Sequence, residues 1–122
     1  MRTRCLIFGF LVSIFNLCAQ DYPTKPIRIV VPFPAGGTTD IITRALAQKL
    51  SEEWKQPVVV DNKVGGTGAT GTLLVMNAPA DGYTLLFTSN SAHLISPLLK
   101  MPPPYESVKD FSPIKVLIQI LW

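Results

Sequence analysis

Three times between Ile27 and Leu99, a short strand-like run bounded by turn residues gives way to a stretch with helical spacing or an irregular connector. Ile27-Arg28-Ile29-Val30-Val31 sits between Pro26 and Pro32 and reads as a buried strand. Ile41, Ile42, Ala45, Leu46 and Leu50 then recur at helical spacing, with Thr38 or Thr39 available as N-cap and an end near Trp54. Pro57 to Val60 is a second strand, Thr70 to Asn77 a second helix, and Tyr83 to Thr88 a third strand after the Asp81-Gly82 turn. Ala92 to Leu99 is helical or irregular and leads into the proline-rich loop "MPPPYESVKDF". Regular alternation of this kind predicts an α/β fold: a parallel sheet, right-handed crossovers, and helices on both faces. Ligands of such sheets bind at the carboxyl ends of the strands.

The segment "VVPFPAGGTTD", Val30 to Asp40, lies at one of those ends. A helix start leaves about four N–H groups without intrahelical partners and carries roughly half a positive charge. Gly36 and Gly37 have no Cβ and let an oxygen atom approach the backbone, while Pro32 and Pro34 stiffen the approach. With the Thr38 and Thr39 hydroxyls this makes an anion cradle; a plain tight turn between strand and helix accounts for the glycines equally well. Asp40 is an acid in the wrong place for an anion site. It is expected to accept hydrogen bonds at the helix start or to pair with Arg44 one turn on.

A second glycine cluster, "NKVGGTGATG", runs from Asn62 to Gly71. Gly66, Gly68 and Gly71 match the dinucleotide pattern G-x-G-x-x-G, but three residues separate them from the strand, and the next strand ends in Thr88-Ser89-Asn90 where a ribose would want an acid. A backbone-lined turn opening onto the same sheet edge fits better. Ser89 and His93 are four apart, yet no G-x-S-x-G elbow and no orienting acid accompany them, so His93 reads as a structural histidine. Asp81 and Asp110 sit in turns, which gives paired-carboxylate catalysis no geometry, and "PPPY" reads as a stiff connector rather than a polyproline ligand.

The opening "MRTRCLIFGFLVSIFNLCAQ" has a basic start, an apolar core and a small-residue end: a secretory signal peptide at residues 1–19, cleaved after Ala19, with residues 20–122 as the mature part. Its apolar run falls short of the ~20 residues that span a bilayer. Both cysteines, Cys5 and Cys18, lie in this leader, and His93 is the single histidine, so neither disulfides nor a metal site nor a cofactor is expected. The formal charge of +3 includes Arg2 and Arg4; from Asp21 onward nine Lys and Arg face eight acids without a basic cluster, which argues against a nucleic-acid partner. The chain's 122 residues suit one domain at most.

Taken in order and spacing, "YPTKPIRIVVPFPAGGTTDIITRALAQKL", "QPVVVDNKVGGTGATGT", "APADGYTLLFTSNSAH" and "YESVKDFSPIKVL" resemble the Bug (TctC-like) extracytoplasmic solute receptors of tripartite tricarboxylate transporters. The likeness covers Tyr22 to Leu121, and it is the combination of P-F-P-A-G-G-x-x-D with D-G-Y-T-L-L that makes it specific. It implies a non-enzymatic, monomeric, periplasmic receptor, built as the first lobe of a type II periplasmic binding protein, that captures a small carboxylate and hands it to membrane permease subunits. The implied ligand-binding positions are Phe33, Ala35, Gly36, Gly37, Thr38 and Asp40 in the first loop, Gly66, Thr67 and Gly68 in the second, and Ser89 and Asn90 after the third strand, the last two resting mainly on the resemblance. Val64 stands where a proline is common and Ser96 where an asparagine is common. Members are more than twice as long, so the resemblance also implies a truncated member with the second lobe missing, weak or absent binding, and an aggregation-prone stretch from Ile114 to Trp122. The competing function is a secreted dinucleotide-binding or hydrolytic enzyme fragment.

Overall fold

The structure is a computed structural model that describes residues 21–117. The leader expected at residues 1–19 lies outside the described residues, as does the final part of the Ile114–Trp122 stretch. Three parallel strands, β1 (Ile27–Val31), β2 (Val58–Asn62) and β3 (Thr84–Leu86), form one sheet in the order β2-β1-β3. Helix α1 (Thr38–Trp54) connects β1 to β2, and α2 (Ala69–Met76) connects β2 to β3. After β3 come a π-helical turn (Ser91–Ile95) and the short α3 (Ser96–Leu98).

The central strand explains the layering. Ile27, Ile29 and Val31 point to one face and Val30 to the other, and all four are buried, so β1 needs cover on both sides. On the first face Ile27 and Ile29 pack with Ala47 of α1, joined by Val58, Val60, Leu85 and Phe87 from the neighbouring strands. One crossover runs from β1 to β2 and the next passes back over β1 to reach β3. Right-handed crossovers in opposite directions put α1 and α2 on opposite faces, as the alternation in the sequence predicts.

The element boundaries differ from expectation in instructive places. β2 begins at Val58 and continues to Asn62, beyond the Pro57 to Val60 run, because its register pairs Val31 with Asn62 and Lys63 N–H donates to Val31 O at 2.9 Å. Asp61 and Asn62 look like loop residues by composition, yet each meets a tertiary partner. β3 is shorter than Tyr83 to Thr88, although Arg28 N–H to Tyr83 O (2.8 Å) and Phe87 N–H to Val30 O (3.0 Å) extend its pairing at both ends. The N-cap of α1 is Gly37, not Thr38 or Thr39: both threonines are already inside the helix, and the Thr43 hydroxyl donates to Thr39 O at 2.6 Å.

Two glycines let the layers close. A Cβ on Gly71, inside α2, would stand 2.9 Å from Lys63 O and 3.0 Å from Pro32 Cβ, so only glycine brings this helix against the β1 corner. Gly68 has φ +95° and would set a Cβ 3.0 Å from Ala92 Cβ, which joins the second glycine turn to the π-helical turn.

Candidate functional site

The loops that leave the carboxyl ends of β1, β2 and β3 converge on one groove of about 400 Å³. Pro32, Phe33 and Pro34 form one wall, Val64, Gly65, Thr67 and Gly68 another, and Ser91, Ala92 and Ser96 of the π-helical turn and α3 the third. Its lining is largely apolar, relieved by three hydroxyls. Thr67, in left-handed conformation at φ 56°, places its hydroxyl 2.6 Å from Gly66 O and 2.5 Å from the Ser96 hydroxyl, tying the second loop to α3. A larger depression of about 490 Å³ runs between α1 and the edge strand β2, bounded by Arg44, Ser51, Glu52 and Val59 among others. It lies on the flank of the sheet rather than at the strand ends, where loops of this fold class gather ligands.

Beside the groove, the start of α1 is organised by Asp40. This residue is only 2% exposed. Its Oδ2 accepts from Gly36 N–H (2.8 Å) and Arg44 Nε (2.9 Å), and its Oδ1 accepts from Asn62 Nδ2 (2.9 Å), which also donates to Phe33 O at 3.0 Å. Arg44 in turn donates to Asn62 Oδ1 at 2.9 Å. The Arg44 hydrogen bond first, then those from Gly36 and Asn62, hold the Asp40 carboxyl down at about 2 against burial, which opposes them. Asp40 is therefore an ionised brace that fixes the β1 loop to α1 and β2, with its oxygens turned into the protein. The expectation of capping and of an Arg44 pair is met; Asn62, the third partner, has no local signal in the sequence.

The brace changes which amides can serve an anion. Gly36 N–H is taken by Asp40 and Gly37 N–H by Pro34 O at 3.3 Å, so the two glycines named for the cradle shape the corner without offering donors. The first intrahelical bond is Ile41 N–H to Gly37 O, 3.0 Å; ahead of it the amides of Thr38, Thr39 and Asp40 have no protein acceptor among the described residues.

Of the residues singled out from sequence, Phe33, Thr67 and Gly68 line the groove. Gly66 stands between two lining residues. Ala35, Gly36, Gly37 and Thr38 belong to the exposed corner outside the lining, Asp40 is the brace, and Ser89 and Asn90 lead into the π-helical turn. The Ser89 hydroxyl lies 3.0 Å from that of Ser91. His93 is held elsewhere: its Nε2 is 3.0 Å from Ser107 O and its ring lies against Tyr105 and Phe111, so no Ser89–His93 pair forms. Val64, Ala92 and Ser96 line the groove without having been assigned a role from sequence; the turn that carries Ala92 and Ser96 has a π-helical spacing that no local pattern announces. Among the described residues, no group of three or more His, Cys, Asp or Glu could hold a metal ion, and no helix is long and apolar enough to cross a membrane.

A family model described as tripartite tricarboxylate transporter family receptor, TctC, matches residues 42–120. The chain belongs to that family. Among TctC relatives it is 45% identical over 121 residues to protein BugT of Bordetella pertussis, a match that covers 94% of this chain and 37% of BugT. Among solved TctC-like structures, one described as a periplasmic transporter superposes with a TM-score of 0.69 at 44% identity, covering 72% of this chain and 30% of its own. MatC from Rhodopseudomonas palustris, solved with bound malate, superposes with a TM-score of 0.71 at 30% identity, covering 75% of this chain and 31% of its own. The chain thus spans about a third of the length of the curated relatives it matches.

Proposed function

We propose that this chain contributes the carboxylate-receiving lobe of an extracytoplasmic solute receptor, which captures a small carboxylate in the periplasm and presents it to the membrane permease subunits of a tripartite transporter. The observation that carries the reading is the groove where all three strand-end loops of a TctC-family sheet converge, next to a helix start with unclaimed amides. An apolar groove beside oriented N–H donors suits a ligand with a carboxylate head and a hydrocarbon body. Malate bound to MatC supports the same ligand class. In this reading residues 1–19 direct export and are removed, residues 20–122 supply the lobe, the receptor works as a monomer, and it performs no chemistry on its ligand.

Titrating the isotopically labelled chain with L-malate to about 10 mM, enough to register millimolar binding, tests the proposal by amide chemical shifts. The expected shifts fall on residues 33–40, 64–68 and 89–96. Shifts scattered over the sheet's opposite end, or none with malate and other mono-, di- and tricarboxylates, overturn it.

A further inference from the structure

Carboxylate binding in a groove with so little polarity raises the question of where the compensating charge comes from. Near the groove, Arg44 is committed to Asp40 and Asn62, and Lys63 is paired with Asp61 at 3.3 Å. Among the described residues Lys55, Lys100 and Lys115 form no ion pair, and of these Lys100 is the one in contact with a groove loop. Its Nζ donates to Gly66 O at 3.3 Å, between the lining residues Gly65 and Thr67, and lies 3.7 Å from the point a Gly66 Cβ would occupy. One long hydrogen bond uses one of three ammonium donors. The chain holds the side chain there by a second link: Ser96, four residues earlier, is bonded through its hydroxyl to Thr67 on the same turn.

We infer that Lys100 is the specificity-determining cation of the groove, placed on its rim to pair with a ligand carboxylate and to discriminate carboxylates from their neutral amides. The assignment rests on the receptor reading and names a residue within it. Gly66 with φ +56° has no side chain to stand between the ammonium and the groove, and the helix amides on the β1 side add positive potential across from it. Lys100 is exposed, so solvent and salt screen its contribution, and a modest, salt-sensitive effect is the signature to look for.

The test compares the wild-type chain with Lys100→Gln and Lys100→Arg, using L-malate and its diamide as probes at low and high ionic strength, read by amide shifts, with thermal melting as a control. Lys100→Gln should weaken malate about two- to fivefold, flatten the salt dependence, and leave binding of the diamide unchanged, while Lys100→Arg restores malate. A purely structural role as a cap on Gly66 O would instead lower the melting temperature and weaken both probes alike, and that result overturns the assignment. Equal malate affinity and equal salt dependence in wild type and Lys100→Gln overturn it too, with the receptor reading intact. No binding by the wild type of malate or of any other mono-, di- or tricarboxylate removes the receptor reading and this inference together.

Discussion

One carboxylate fixes the geometry of the candidate site. Asp40 gathers donors from the β1 corner, from its own helix and from β2, and because it is buried and ionised, removing its charge leaves those donors facing a weaker acceptor. Its folded-state value near 2 lies below the ordinary 3.8. A depressed carboxylate contributes stability that is complete above the unfolded value and disappears as the pH falls through the folded one. The wild-type chain should therefore lose stability between about pH 4 and pH 2, and Asp40→Asn should have a lower denaturation midpoint at neutral pH and a flatter profile through that window. Asp61 and Asp81 titrate in the same direction: for Asp61 burial pushes upward but Arg28 and Lys63 outweigh it, and for Asp81 the Tyr83 amide and Lys25 pull down. The difference between wild type and Asp40→Asn, followed by urea denaturation at each pH, isolates the brace; parallel curves would show that Asp40 does not supply it.

At the level of elements, the contrast between the central and edge strands gives a graded expectation. Ile29→Ala opens a hole in a strand covered on both faces and should cost about 2–5 kcal/mol, whereas Val59→Ala on the outer strand, 53% exposed, should stay within about 0.5 kcal/mol. Helix α2 is sensitive for a different reason. Gly71→Ala adds a methyl group against Lys63 O and Pro32, a backbone contact that cannot swing away, and should destabilise by about 1–3 kcal/mol despite alanine's better helix propensity. Chemical denaturation of the three variants checks the order; a stabilised Gly71→Ala would mean that α2 does not sit against the β1 corner. β1 was legible as a β-branched run between two prolines and α1 as apolar residues recurring at helical spacing, but the face that α1 buries was not, since Thr43 and Ala47 are buried while Ile41 is 61% exposed. β2 was read too short because Asp61 and Asn62 owe their strand conformation to pairing partners on β1 and α1, which local composition does not encode.

Across the whole molecule, the described surface carries apolar side chains beyond the sheet: Leu99 is 80% and Met101 88% exposed, with Leu98, Val108, Ile114 and Val116 also open to solvent. A surface of this kind favours non-specific association. Replacing Leu98, Leu99 and Met101 together by Ser should raise the concentration at which light scattering begins and leave the melting temperature within about 2 °C; unchanged scattering would place the sticky surface elsewhere. Sequence by itself determined the α/β alternation, the strand-end loops and the family, because hydrophobic period, turn residues and ordered motifs are properties of neighbouring positions. Tertiary structure alone decided that Asn62 completes the Asp40 brace and that Ser96 and Lys100 come to the glycine turn. Each of those depends on residues far apart along the chain competing for the same donor or acceptor, and such a competition has no outcome until the sheet has set their distances.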